Sequence, residues 1–353
     1  MVARPAGFMT TSGGTPLPDD IILEVNDLTR YFDASPPAVE RLLRGTPRAV
    51  VKALDGVSFT IRRGETFALV GESGCGKTTV ARCIVGLSQP TSGNVVFDGI
   101  DIGRLRRRRA LASIRRRIQM IFQNPYASLN PRWRVKRIVA EPLVTHGLVA
   151  DKAELRARVD ELLEQVRLTS ADGDKFPHEF SGGQRQRISI ARALAAQPEF
   201  LVSDEPTSAL DVSVQAQILN LMKDVQHRFQ LTYLFISHNL AAIYQISDRV
   251  GVMYLGRLVE VATTDELFAR PRHPYTRLLL ETVPRLAPPP EQSDREIVVG
   301  ELPNPIDPPS GCAFHPRCAY ANSRCRTERP SLLFAEGTFV ACHAVGEGRL
   351  PLG

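Results

Sequence analysis

The sequence predicts an α/β fold built around a mainly parallel sheet that is covered on both faces. Three observations predict it. Short apolar runs alternate with helical stretches along most of the chain. One such run, Thr66 to Val70, leads through glycine-rich sequence directly into a helix-like segment. Another, 200–203, ends at Asp204 and Glu205, which places two carboxylates at the carboxyl edge of the sheet. A chain of 353 residues, 43% apolar and 23% charged, has room for one large α/β unit with an appendage. That composition excludes a disordered chain, a collagen-like chain and a small disulfide scaffold.

The elements follow in order. Residues 1–20 are rich in Gly, Pro, Ser and Thr, have no apolar stretch of the kind a secretory signal needs, and are expected to form a flexible tail. Residues 21–25 open as a strand and 51–61 alternate apolar with polar. Between them, 33–50 contain Pro36, Pro37, Gly45 and Pro47 and are expected to form an inserted loop. A helix is expected over 77–87, with further strands at 94–97, 118–122, 200–203, 232–236 and 250–254. Residues 124–196 hold several helical patterns and no good strand, so they are expected to be a helical insert. The core then spans 21–270 and an extension 271–353. Within the extension, 284–310 carry eight prolines in 27 residues, a semi-extended linker that leads to a cysteine-rich end.

No apolar run approaches the roughly 18 residues of a membrane-spanning helix. The net charge is +6, with 38 arginines against 6 lysines. Residues 104–117 hold eight arginines and no acid, so the basic balance is one local run. It reads as a solvated helix face, or as a docking site for acidic protein or lipid, and is poor support for nucleic-acid binding.

The chemistry is concentrated in two places. Gly71-Glu72-Ser73-Gly74-Cys75-Gly76-Lys77-Thr78 fits G-x-x-x-x-G-K-[ST] between a buried strand and a helix. Its glycines let successive backbone N–H groups curl around phosphate oxygens, and the helix N-terminus adds partial positive charge. Lys77 then pairs with the β- and γ-phosphates, Thr78 ligates Mg²⁺, and Thr79 reaches the α-phosphate. Asp204 is expected to hold the Mg²⁺ hydration shell, and Glu205 to polarise an attacking water as general base.

Ser181-Gly182-Gly183-Gln184 opens a strongly helical stretch upstream of the Asp204-Glu205 strand, Gln123 precedes it, and His238 follows. Five short motifs in this order make the chain, from about Leu23 to Phe268, resemble the ATP-binding-cassette (ABC) ATPases. The resemblance implies a phosphate-loop NTPase core with an antiparallel β portion and a helical insert. It implies two modules paired head to tail, each ATP lying between the phosphate loop of one and Ser181, Gly182, Gly183 and Gln184 of the other. It assigns Tyr31 to adenine stacking, Gln123 to Mg²⁺, the γ-phosphate and a membrane partner, residues 208–211 to the interface, and His238 to the γ-phosphate and water. Tyr31 also suits a plain half-buried aromatic.

Narrower likenesses follow. The run from Ile121 through Gln123 to Pro131 resembles the glutamine loop of dipeptide and oligopeptide importer ATPases. Arg272-His273-Pro274-Tyr275-Thr276 resembles the start of their C-terminal extension. The 33–50 insertion is similar to that of the second of two paired importer ATPases, which implies a non-identical ATPase partner. The implied assembly has two transmembrane permeases and an extracytoplasmic solute-binding protein, with this chain peripheral on the cytoplasmic face of the membrane. An importer of nickel or another small solute is the alternative, and a soluble ABC ATPase acting on nucleic acid a more distant one.

Cys312, Cys318, Cys325 and Cys342 are spaced C-x5-C-x6-C-x16-C, which by itself identifies no metal. Four thiolates suit iron–sulphur or zinc, and the resemblance favours a [4Fe–4S] cluster, with Zn²⁺ or uncomplexed thiols the alternatives. Cys75 stands near a helix N-terminus, where thiol pKa values tend to fall; it reads as an oxidation-sensitive thiol or as a plain loop residue.

Overall fold

The computed structural model describes residues 20–35, 49–105, 108–281, 303–304, 306–335 and 337–350. The expected tail, most of the 33–50 insertion, two arginines of the basic run and most of the proline-rich linker lie outside these residues.

The chain runs β1 (Ile21–Asp33), β2 (Val50–Arg62), β3 (Thr66–Val70), α1 (Lys77–Ile84), β4 (Ser92–Phe97), β5 (Ile100–Asp101), α2 (Arg108–Arg117) and β6 (Ile118–Ile121). A helical layer follows: α3 (Pro125–Ser128), α4 (Val135–Thr145), α5 (Lys152–Gln165) and α6 (Gly182–Ala195). Then come β7 (Phe200–Asp204), α7 (Val212–Phe229), β8 (Thr232–Ile236), α8 (Leu240–Ile246), β9 (Arg249–Tyr254) and β10 (Arg257–Thr263). The chain closes with α9 (Thr264–Ala269), α10 (Pro274–Glu281), α11 (Ser323–Thr327), β11 (Leu333–Ala335), β12 (Thr338–Val340) and α12 (His343–Gly346).

Two sheets form. One is antiparallel, in the order β2-β1-β4-β5; the larger has the order β11-β12-β10-β9-β3-β8-β7-β6. Its β6, β7, β8, β3 and β9 pair in parallel, and β10, β12 and β11 complete it antiparallel. The parallel strands are buried on both faces, so β3, β7 and β8 are apolar or small almost throughout and buried at every position. Alternate side chains serve different layers. Phe67, Leu69, Phe200, Val202, Leu234 and Ile236 share a core with β1, β2 and α1. Ala68, Val70, Leu201, Tyr233, Phe235 and Val250 share another with the helical layer.

The expected strands and the helical 124–196 region are present. β1 runs eight residues beyond the expected Val25, pairing with β2 through Asp33 and with β4 along its first half. The hairpin β11–β12 joins the main sheet through β12 and β10, with Glu260 opposite Val340, and Phe314 is buried in the helix-side core. The cysteine-bearing segment is thus built into the sheet of the core. Of the basic run, Arg117 is not a solvated side chain: it pairs with Asp98 and Glu199 and lies 4.9 Å over the Phe97 ring.

Candidate functional site

The parallel strands order the site. β6, β7, β8 and β3 lie side by side, and the segments leaving their carboxyl ends carry Gln123, Asp204 with Glu205, His238 and the phosphate loop. This is where an α/β sheet collects ligand-binding groups.

The phosphate loop turns from β3 into α1 through backbone that only glycine tolerates. Gly71 and Gly76 have φ of 154° and 107°, and a Cβ at either would lie 2.2 Å from the Met253 carbonyl or 2.4 Å from the Ala53 carbonyl. The Lys77 ammonium spans the loop, donating to the carbonyls of Gly71 at 2.7 Å and Glu72 at 3.0 Å. Cys75 lies 1% exposed inside the turn, and burial pushes its thiol up. That is the reverse of the lowering expected from the helix N-terminus: desolvation of the thiolate outweighs the attraction of Lys77.

Across the sheet, Thr78 Oγ1 donates to Asp204 Oδ1 at 3.1 Å, which joins two expected Mg²⁺ ligands that are far apart in sequence. Burial pushes the Asp204 carboxyl up, and the neighbouring Glu205 charge adds to the effect against the Thr78 hydrogen bond. Glu205 stands at the centre of the site. Gln123 Nε2 donates to its Oε2 at 2.9 Å, and His238 Nδ1 lies 3.1 Å from its Oε1. Three residues expected to act on water and γ-phosphate therefore meet on one carboxylate. Ser208 Oγ donates to the Glu205 carbonyl, and Gln215 holds the 208–211 loop by donating to the carbonyls of Thr207 and Leu210.

Tyr31 lies apart, on the antiparallel sheet. Its hydroxyl donates to Asp55 Oδ1 at 2.6 Å, and Asp55 also pairs with Arg257 at 2.6 Å and Arg329 at 3.4 Å. Burial pushes Asp55 up, but these hydrogen bonds and charges outweigh it and hold the carboxyl below its usual range.

Ser181 caps α6. Its Oγ accepts from the Gln184 amide at 3.4 Å, and Gln184 Oε1 accepts from the Ser181 amide at 3.0 Å, a reciprocal capping box. Gly183 has a packing role: a Cβ there would sit 2.4 Å from Val214 Cγ1. Among the described residues, no hydrogen bond of Ser181 or Gln184 reaches the phosphate loop; both are spent inside the cap.

Cys312, Cys318, Cys325 and Cys342 are the residues expected to hold a [4Fe–4S] cluster or Zn²⁺. All six cysteines are free thiols, and burial pushes Cys312 up to about 11 and Cys318 up to about 12, each also raised by the other late thiols. Among the described residues, no three His, Cys, Asp or Glu side chains are grouped so as to hold a metal ion. The expected [4Fe–4S] cluster or Zn²⁺ is therefore not supported.

Glu72, Asp55, Tyr275 and Arg317 support the site without a sequence signal of that role. Glu72 lies in a position the phosphate-loop pattern leaves free, and the others act across hundreds of residues. The Tyr275 hydroxyl accepts from the Glu72 amide at 2.8 Å, and Arg317 grips the Glu72 carboxylate.

A phosphate loop after β3, an acidic pair at the end of β7 two strands away in the same sheet, and a capped glycine-rich helix define an ATPase of the cassette class. A family profile described as ABC transporter matches residues 54–208, and one described as the C-terminal region of the oligopeptide/dipeptide transporter matches 259–325. The chain is 51% identical over 327 residues to the putative oligopeptide transport ATP-binding protein YkfD of Bacillus subtilis, covering 91% of this chain and 95% of that one. It is 48% identical to the di/tripeptide transport ATP-binding protein DppF of Pseudomonas aeruginosa, covering 92% of this chain and 98% of that one. Among solved structures, the dimeric post-hydrolysis ATP-binding cassette MJ0796 with ADP and Pi superposes with a TM-score of 0.60 at 28% identity, over 69% of this chain and 99% of that one. The chain belongs to the oligopeptide/dipeptide transport ATP-binding proteins of the ABC transporter family, and is an ATP-hydrolysing enzyme.

Proposed function

We propose that the chain energises the import of di- and oligopeptides across the cytoplasmic membrane, by closing head to tail on ATP with a second ATPase and opening after hydrolysis. The observation that carries the hydrolytic part is Glu205 held between Gln123 and His238. In this reading Glu205 takes a proton from the attacking water, while Gln123 and His238 orient the carboxylate and contact the γ-phosphate. Lys77 pairs with the β- and γ-phosphates, and the glycines, Ser73 and Thr79 of the loop contact the remaining phosphate oxygens. Thr78, Asp204 and Gln123 would hold Mg²⁺, and the Thr78–Asp204 contact fits that role. The ion supplies charge neutralisation at the phosphates.

Tyr31 stacks on adenine. Ser181 and the α6 N-terminus close over the nucleotide of the opposing module, in keeping with a cap whose own hydrogen bonds stay local. Peptide as the cargo rests on the names of the relatives and on the matched C-terminal region. The same reading places the chain on the cytoplasmic face of the membrane, with two permeases, a solute-binding protein and a non-identical ATPase; no described helix is long and apolar enough to cross a membrane. The late cysteines carry no step.

Reconstitution in liposomes with its permeases, its solute-binding protein and the second ATPase tests the reading. ATP hydrolysis coupled to uptake of labelled di- or oligopeptide is expected. Uptake of nickel in place of peptide would select the small-solute alternative.

A further inference from the structure

The phosphate loop is gripped from the far end of the chain. Arg317 donates through Nη1 to Glu72 Oε2 at 3.0 Å and through Nη2 to Glu72 Oε1 at 3.1 Å, a two-pronged pair that fixes direction as well as distance. Both side chains are largely covered, at 10% and 22% exposure. Arg317 ends a short turn, His315–Arg317, between Cys312 and Cys318. The same residue is held from a second side, since the Glu72 amide donates to the hydroxyl of Tyr275, whose ring packs against Tyr254 and Phe314. Glu72 in turn supplies one of the two carbonyls that hold the Lys77 ammonium.

We propose that Arg317 is a positioning residue for ATP binding, so that the C-terminal segment completes the nucleotide site through Glu72. The proposal rests on the reading of residues 71–78 as the ATP phosphate loop. Two physical effects act together. A loop with three glycines loses much backbone freedom when it wraps phosphates, and fixing Glu72 at both its carboxylate and its amide removes part of that cost beforehand. The Glu72 carboxylate also stands in the loop that must accept a polyanion, and Arg317 neutralises it there.

The test measures KM for MgATP and kcat on the full chain, with the unfolding temperature of each variant. Arg317→Ala is expected to raise KM about tenfold with kcat changed less than about twofold, because binding and not chemistry is affected. Arg317→Lys keeps the charge but loses the fork and falls between. Glu72→Gln combined with Arg317→Ala removes the stranded carboxylate, so KM returns to within about threefold of the parent. A purely structural role for Arg317 predicts no such recovery. An Arg317→Ala KM within about twofold of the parent, or a double variant no better than the single one, overturns the proposal. Lys77→Ala separates the two readings: if it too leaves KM unchanged, the phosphate-loop assignment fails, and this inference with it. If Arg317→Ala does not fold, Arg317→Lys alone and with Glu72→Gln decides by the same comparison.

Discussion

Glu205 shows how much a single residue can be asked to hold. Its φ of 48° lies in the left-handed region, uncommon for a residue with a side chain, and its amide donates to the Ile236 carbonyl at 2.8 Å. The backbone bend at the end of β7 is thus fixed by the next strand, and it turns the carboxylate toward Gln123 and His238. Glu205→Gln keeps the shape and removes the base, so kcat is expected to fall by about 10²- to 10⁴-fold while MgATP still binds. Parallel turnover and nucleotide-binding measurements check this; a kcat within a few-fold of the parent would remove Glu205 from the chemistry.

His273 gives a second prediction at this scale. It is 1% exposed, and its Nδ1 accepts from the Tyr275 amide at 3.0 Å. Burial holds its pKa down at about 3, so the folded protein keeps it neutral while the unfolded chain protonates it below about 6.5. Its contribution to stability is therefore present above about pH 6.5 and is lost as pH falls toward 3, by up to about 1.4 kcal/mol per unit. His273→Asn keeps an acceptor near the Tyr275 amide. The stability difference between parent and variant, followed by urea unfolding from pH 7 to 4.5, should shift against the parent as pH falls. A pH-independent difference would show that the imidazole titrates alike in both states.

At the scale of elements, the placement of Lys77, Thr78 and Asp204 at the ends of their strands and helix was legible, and the supports around them were not. The strand–loop–helix context of Lys77 and Thr78, and the strand ending at Asp204, could be read because strand and helix periods differ and glycine clusters are unambiguous. The meeting of Gln123, Glu205 and His238 depends on β6, β7 and β8 being neighbours, which no local pattern records. The glycines opening α6 illustrate the same limit. Their sequence suggests a helix start suited to phosphate, yet Gly183 also lets α7 approach through Val214, which is distant along the chain. Gly183→Ala is expected to cost about 1–3 kcal/mol by overpacking, even though alanine is the better helix former. Val214→Ala in the same chain should return part of that loss. Denaturant titrations of the two single variants and the double variant measure the coupling, and strict additivity would contradict the contact.

For the whole molecule, the decisive feature is that the last segment shares the core's sheet and apolar interior. The sequence pointed to an appendage because a proline-rich stretch and a change in cysteine content separate it, and both signals are real. What they conceal is a long-range pairing: β12 is three residues long, too short to announce itself, and it acquires meaning only beside β10. The seam is sealed by aromatic rings. Phe314 is 2% exposed, with ring centroids 5.4 Å from Tyr254 and 5.5 Å from Tyr275. Tyr254 ends β9 and Tyr275 belongs to α10, so Phe314 ties strand, helix and the turn that carries Arg317 into one unit. If the segment were a loosely attached module, Phe314→Ala would unfold it locally and leave the core's transition unchanged. Because the rings belong to one interior, the substitution is expected to lower the stability of the whole chain by about 3–5 kcal/mol in a single transition. Equilibrium unfolding followed by far-ultraviolet circular dichroism and by tyrosine fluorescence should give coincident curves for parent and variant alike. Two separated transitions in the parent, or a loss below about 1 kcal/mol in the variant, would mean that the segment folds as an appendage after all.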